Sequence, residues 1–319
     1  MKIIFLLFAI IIFTSCTEKR SVYKIAFYNV ENFFDTINGE NIDEEFLPEA
    51  KLKWNTNKYQ EKIKHLNTVI HSLNYPVILG LCEVENKRVL SDLIEAQSKT
   101  SSSPSYGIVH HESPDKRGID AAFIYDKNIV RLQESGNLEV ILDNSKSKPT
   151  RDIVWAKFLL KKDTIICLVN HWPSRRGGTK ESEHKRIKAA NTAKLFIDSI
   201  LKENANSKII LMGDLNDYPS NNAPQIIQDI PMYPMIFKTS GSYGGTHCYR
   251  NHWGVLDHIM VSEALKNNGA IPSSGKINEF DYLFTEYKEH IVPFRTFGGG
   301  KYLGGYSDHL PVSIEIELK

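Results

Sequence analysis

Carboxylates, amides and imidazoles recur at the ends of apolar runs along this chain. Asn29 and Glu31 follow "IAFY", Glu83 follows "ILGLC", and Asn170 and His171 follow "IICLV". Asp214 and Asn216 follow "IILMG", Asp257 opens "LDHIMV", and Asp308 and His309 precede an alternating segment of Val312, Ile314, Ile316 and Leu318. An alternating run reads as a strand with one face on a core, so each polar group is held at the mouth of a rigid element. Any one of them is ordinary turn chemistry. Buried charge, however, is costly unless paired or bound to metal. So many such groups are therefore better explained by convergence on one polar cleft suited to metal and phosphate chemistry.

The elements that must position these groups are legible in the hydropathy pattern. Strands are expected at 23–29, 76–83, 119–126, 152–160, 164–171, 208–216, 256–262 and the C-terminus. Tyr59, Ile63, Leu66, Ile70 and Leu73 follow a 3.6-residue period, as do Ile187, Ala190, Ala193, Ile197 and Leu201. Two amphipathic helices result, each preceding a strongly apolar strand. Helix-then-strand units in a strand-rich chain imply mixed sheets covered by helices. The segment "FGGGKYLGG", 297–305, leads straight into Asp308 and His309. Its glycines allow either a loose surface loop or one that adapts around a ligand.

Composition narrows the partners. The chain has 319 residues, 41% hydrophobic and 24% charged, with a net charge of +1. That balance argues against a broad basic surface for coating nucleic acid and leaves room for a local basic rim. The start, "MKIIFLLFAIIIFTSC", has Lys2, an apolar run from Ile3 to Phe13, then small residues. The run is shorter than the about 20 residues that span a bilayer and fits a removable leader over 1–15. "FTSC" resembles a bacterial lipobox, which makes Cys16 the expected lipidated residue. A short linker over 16–21 and one domain over 22–319 would then follow, anchored to a membrane without crossing it. The expected place is a bacterial cell envelope, at the outer membrane or cell surface, with the protein a monomer.

Cys82 and Cys167 lie in apolar runs and read as small buried hydrophobes; with Cys248 they support no disulfide framework. His247, Cys248, His252 and His258 lack the paired spacing of a structural zinc site. They are not expected to form one.

The ordered series "YNVEN" (28–32), "LCEVEN" (81–86), "NHWPS" (170–174), "GDLND" (213–217), "LDHIMVS" (256–262) and "SDHLPV" (307–312) resembles the endonuclease/exonuclease/phosphatase superfamily over roughly 22–319. The resemblance implies an α/β (α+β) fold, a four-layer sandwich of two mixed β-sheets flanked by helices. It also implies a metal-dependent phosphoesterase. A phosphodiester repels nucleophiles and needs a divalent cation, an activated water and donors for developing charge. Mg²⁺ suits hard oxygen ligands; Mn²⁺ or Ca²⁺ are alternatives.

By this resemblance Glu83 is the first metal ligand, with Asn29, Glu31 and Asp308 as further metal or phosphate contacts. Glu31 stands where many relatives carry Asp. His309 would be general base or phosphate-stabilising cation, oriented by Asp257. Asp214 and Asn216 would position water and bind phosphate, and whether Asp214 or His309 takes the proton stays open. His171 would hydrogen-bond the phosphate or assist the leaving oxygen. Arg117, Arg175 and Arg176, and with them Arg151, are candidate phosphate clamps. Trp172 is a candidate for base stacking or for core packing.

A nuclease acting on DNA or RNA is the leading expectation. A phosphatase or sphingomyelinase-like phosphodiesterase is the alternative, and a catalytically silent ligand-binding member of the fold a second. The silent reading is disfavoured because Glu83, Asp214, Asn216, Asp257 and His309 are all present.

Overall fold

The computed structural model describes residues 21–39, 44–99, 103–142 and 149–318. Cys16 and the leader lie outside them. Among the described residues two six-stranded sheets dominate. The first is built from β1 (Ser21–Phe33), β2 (Ile78–Val84), β3 (Tyr106–His110), β4 (Asp120–Asp126), β11 (Lys276–Ile277) and β12 (Val312–Leu318), in the order β11-β12-β1-β2-β4-β3. The second holds β5 (Val130–Leu138), β6 (Ile153–Leu160), β7 (Asp163–His171), β8 (Lys208–Asp214), β9 (Met232–Pro234) and β10 (Asp257–Ser262), in the order β5-β6-β7-β8-β10-β9.

The sheets lie face to face, with helices outside. The two-residue period of β8 shows how. Ile210 and Met212 enter the core between the sheets, while Ile209 and Leu211 join Ala189, Ala190, Ala193 and Ile197 of α3 (Thr179–Glu203) in a second core. A strand buried on both faces reads as an unbroken apolar run, which is why "IILM" is apolar throughout. On the other side α1 (Thr56–Ser72) and α2 (Lys87–Ser98) cover the first sheet through Ile63, Leu66, Val89 and Leu93. Two shorter helices complete the described set, α4 (Asn222–Gln228) beside α3 and α5 (Glu263–Asn268) after β10.

The expected strands and both expected helices are present. Strands β3, β5, β9 and β11 and helices α2, α4 and α5 were not expected from the sequence. In β5 only Val130 is fully buried, so this edge strand carries no clean alternation.

Close approach of the sheets depends on Gly80 of β2. A Cβ placed there would lie 2.5 Å from Met212 Sδ and 2.7 Å from Val169 Cγ2 across the interface. Gly80→Ala is expected to cost about 1–3 kcal/mol by overpacking, read as a lower urea midpoint with unchanged m-value.

Candidate active site

Strand direction brings the polar groups to one edge. β1 and β2 run parallel, as do β7 and β8 with His171 opposite Asp214. The C-terminal ends of each pair therefore share an edge, where open sheets with parallel strands usually bind ligands. β12 is antiparallel to β1 and β10 antiparallel to β8, so both deliver their N-terminal ends to that edge. Val312 pairs with Phe27, and Asp257 with Asp214.

Local irregularity aims the side chains. Glu31, Asn32, Glu83 and Asn216 all have positive φ, between 48° and 62°, a conformation costly for non-glycine residues and concentrated at functional sites. The β1–β2 and β2–β4 ladders shift register at Asn29/Phe33 and Cys82/Val84. Such bulges re-aim a residue at a sheet end. Glu83 is turned so that Oε2 accepts from the Asn32 amide at 2.9 Å, while Oε1 faces His171 Nε2 at 3.9 Å.

Asp214 is the hub. Its Oδ2 accepts from Asn29 Nδ2 (3.1 Å) and Asn216 Nδ2 (3.3 Å), and its Oδ1 from the Asn216 amide (2.9 Å). His171 Nε2 lies 3.7 Å and His309 Nε2 3.8 Å from Oδ2. Asp257, fully buried, holds His309 Nδ1 at 2.7 Å. Ser307 fixes the approach, its hydroxyl donating to the Asn29 carbonyl (2.7 Å) and accepting from the His309 amide (3.1 Å).

These neighbours set the charges. Burial pushes the Asp214 carboxyl up to about 7, opposed by His309 and reinforced by Asp257 and Glu83. Burial disfavours the His309 cation, but Asp257 and Asp214 outweigh it and hold the imidazole well above its ordinary value. Burial pushes His171 well below, helped by Arg151 and Arg117. Two adjacent imidazoles are thus driven to opposite protonation states.

Several expected residues are placed otherwise. The Glu31 carboxylate turns from the cleft to the backbone, accepting from the Thr296 amide (2.6 Å) and the Phe297 amide (3.2 Å), with Arg295 at 3.4 Å. It is a loop anchor and not a metal ligand; the longer side chain reaches amides beyond the strand end. Arg175 is also committed to structure: Nε donates to the Asn216 carbonyl (2.8 Å), Nη2 lies 3.3 Å from Asp217 Oδ1, and the guanidinium covers the Tyr218 ring. Arg176 and Arg117 remain exposed. Arg151 is buried between Asp115 Oδ2 (3.2 Å) and the Trp172 carbonyl (2.7 Å). Trp172 is 1% exposed, with Nε1 on Asn170 Oδ1, and packs in the core. Asp308 reaches the site but its Oδ2 accepts from Arg295 Nη2 at 2.8 Å.

Arg295 and Lys62 were missed in the sequence, and His247 was read there only within a histidine and cysteine set that lacks zinc spacing. Lys62 had a signal: it sits three residues after Tyr59, on the apolar face of α1. It is fully buried, and its Nζ donates to Thr296 Oγ1 and the Tyr306 carbonyl, both at 2.6 Å. Burial lowers it to about 8, against the pull of Glu31, Asp308 and Glu83; burial and Asp308 raise Glu31 to about 7. The glycine-rich segment is therefore neither loose nor adaptable at its roots. Glu31 and Lys62 clamp them, and Tyr302 and Phe297 pack on Trp54.

The donor set fits a hard divalent cation. The carboxylates of Glu83 and Asp214 and the amide of Asn29 come together at this edge, Asn29 Nδ2 lying 3.1 Å from Asp214 Oδ2 and Glu83 Oε1 and Asp214 Oδ2 both facing His171 Nε2, oxygen donors of the kind Mg²⁺ or Mn²⁺ prefers.

Comparison with known proteins agrees with the fold. The model of the endonuclease/exonuclease/phosphatase family matches residues 24–318. The chain belongs to that family. A family member from Bacteroides thetaiotaomicron superposes with a TM-score of 0.61 at 14% identity, over 95% of this chain and 100% of that one. A mannosyl-6-phosphatase from the same organism gives 0.61 at 15% identity, over 92% and 99%. The human Nocturnin catalytic domain gives 0.58 at 15% identity, over 93% and 96%. Identities this low speak for the fold alone. A search of curated proteins finds no match. Membership in the endonuclease/exonuclease/phosphatase family makes the chain a phosphoester hydrolase, and family enzymes generally use divalent metal ions.

Two measurements test this account. Lys62→Met is expected to lose about 3 kcal/mol or more, as breaking a buried charge network does, and to accelerate amide exchange at Thr296 and Phe297; a loss under about 1 kcal/mol would contradict the clamp. His258 is buried with Nε2 on the Asp217 carbonyl at 2.9 Å, and burial lowers it to about 4. Its depressed value means that stability present above pH 6.5 is lost as pH falls towards 4, by up to about 1.4 kcal/mol per pH unit. His258→Gln is expected to flatten that dependence in urea unfolding.

Proposed function

We propose that this phosphoester hydrolase is a Mg²⁺-dependent phosphodiesterase acting on nucleic acid. The observation that carries the reading is the meeting of Asp257–His309, Asp214 and Glu83 at the one edge that both sheets build. Glu83 and Asn29 would hold the cation, which supplies neutralisation of phosphate charge and activation of water.

The chain's own residues supply the rest. With Nδ1 bound by Asp257, His309 presents Nε2 to the cleft, and its charged form stabilises the negative charge that develops on phosphate. Asp214, raised to about 7, is poised to accept the proton of the attacking water. Neutral His171 and the amides of Asn29 and Asn216 orient the phosphate. This division of roles makes Asp214 the base and His309 the cation.

The rim favours an extended polyanion. The hairpin of His247–Tyr249 and His252–Gly254 starts at His247, which bridges His309, and a second hairpin ends at Pro293, two residues before Arg295. Each tip carries an exposed tyrosine beside a cation, Tyr249 with Arg250 and Tyr287 with Lys288. Paired aromatic and cationic groups suit stacked bases and a phosphate backbone. A phosphomonoesterase is the second reading, favoured by the half-exposed Arg295 guanidinium beside Asp308. The leader pattern supports display from a lipidated Cys16 at a bacterial envelope.

The test uses chain from Thr17 onwards with plasmid DNA, structured RNA and a sugar phosphate, with and without Mg²⁺. Metal-dependent cleavage of nucleic acid is expected, lowered about 10²–10⁴-fold in His309→Ala and Asp214→Asn, with a higher KM in Tyr249→Ala. Turnover of the sugar phosphate alone would replace the nuclease reading with the phosphatase one. Nucleic-acid cleavage unaffected by both substitutions would contradict the site.

A further inference from the structure

The geometry points to a further site for a divalent transition metal of the Zn²⁺ type, formed by His247, Asp308 and His309 and sharing His309 with the candidate active site. Their donor atoms lie within 4.8 Å of one another. His247 Nε2 is 4.0 Å from Asp308 Oδ2, and the His247 and His309 rings stand 4.7 Å apart. A backbone bridge between His247 and His309 ties the two ligand segments together. Two imidazoles and a carboxylate form a nitrogen-rich set unlike the oxygen donors around Glu83, and such a set selects Zn²⁺, Co²⁺ or similar ions over Mg²⁺.

Three further features support the site. Asp257 holds His309 Nδ1 at 2.7 Å, which leaves Nε2 as the ligating position, and a metal binds there by displacing its proton to solvent. A carboxylate behind a histidine is the usual way proteins orient an imidazole ligand. The side chains of His247 and Asp308 are 20% and 22% exposed, so an ion has a path in. The gap is modest as well. Tetrahedral zinc at about 2.0 Å from each ligand sets its donors about 3.3 Å apart, which requires a shift of under about 1 Å at the His247–Asp308 pair.

Two other clusters lack these features. In Asp214, Asp257 and His309 the Asp257 side chain is fully buried and its Oδ2 is committed to the ring. In His110, Glu112 and Asp120 the Asp120 carboxylate already accepts from Ser113 and pairs with His110.

Arg295 is the built-in competitor, since its Nη2 donates to the same Asp308 oxygen at 2.8 Å. Metal at this site replaces Arg295 on Asp308 and takes up His309 Nε2, the atom that faces substrate. The consequence for activity, inhibition by Zn²⁺, rests on the proposed phosphoesterase mechanism; the binding itself does not.

The experiment titrates Co²⁺ and Zn²⁺ into the folded chain with Mg²⁺ in excess, reading the visible absorption of low-symmetry Co²⁺, its displacement by Zn²⁺, and turnover. One equivalent of Co²⁺ with strong absorption is expected, together with at least tenfold weaker binding in His247→Ala and relief of Zn²⁺ inhibition there. Arg295→Gln removes the competitor without removing a ligand and is expected to bind several-fold tighter. Unchanged Co²⁺ binding in His247→Ala, or unchanged or weaker binding in folded Arg295→Gln, overturns the site. Intact metal binding in a protein without phosphoesterase turnover would leave the site standing and remove only the inhibitory consequence.

Discussion

Two hydrogen bonds join the sheets at one edge, and the candidate site depends on them. Asn29, on the first sheet, donates to Asp214 on the second at 3.1 Å. Asp257, opening a strand of the second, holds His309 just before the last strand of the first at 2.7 Å. Both bonds form only if the sheets approach closely and in register. That explains the absence of a side chain at Gly80, where a Cβ would meet Met212 and Val169 from the opposite sheet. The core of the sandwich and its polar edge are thus one construction. Packing sets the separation, and the separation sets the hydrogen bonds.

Electrostatics follows from that edge. Burial lifts the Asp214 carboxyl, with Asp257 and Glu83 adding to it, and against the same burial the carboxylates of Asp257 and Asp214 keep a proton on His309. Burial takes His171 the other way, with the charges of Arg151 and Arg117 adding to it. Histidines in nearly the same place are separated in charge by what lies behind them. The loop that carries Arg295 is fixed through similar means, because Glu31 and Lys62 bind its backbone from two different elements.

Much of this was legible in the order of residues. Polar groups at the ends of apolar runs announce an edge, and parallel strand–helix–strand units send C-terminal ends to the same side. Asn29, Glu83, His171, Asp214, Asn216, Asp257 and His309 accordingly meet. Side-chain direction was less legible. Glu31 differs from an aspartate by one methylene, and only the fold shows that it reaches Thr296 and Phe297. Arg175 looks like a phosphate clamp in "PSRRGG", yet the Asn216 carbonyl and Asp217 occupy it. Lys62 carries a periodicity signal, a cation on an apolar helix face. Arg295 carries none, and His247 stands out only beside Cys248, His252 and His258, because the residues it meets lie elsewhere in the chain. The edge strand β5 escaped because a mostly exposed strand has no apolar face to read.

The central claim is that the bond from Asp257 across the sandwich keeps His309 charged and aimed at Asp214. Titration of the histidine ring nitrogens by NMR in the metal-free protein, beside Asp257→Asn, tests it most directly. The account predicts that His309 in the unaltered protein keeps its proton well above pH 6.5 with Nδ1 as a strong donor, and that both features are lost in the variant. A His309 that titrates at its ordinary value, or that ignores the loss of the Asp257 carboxylate, would contradict it.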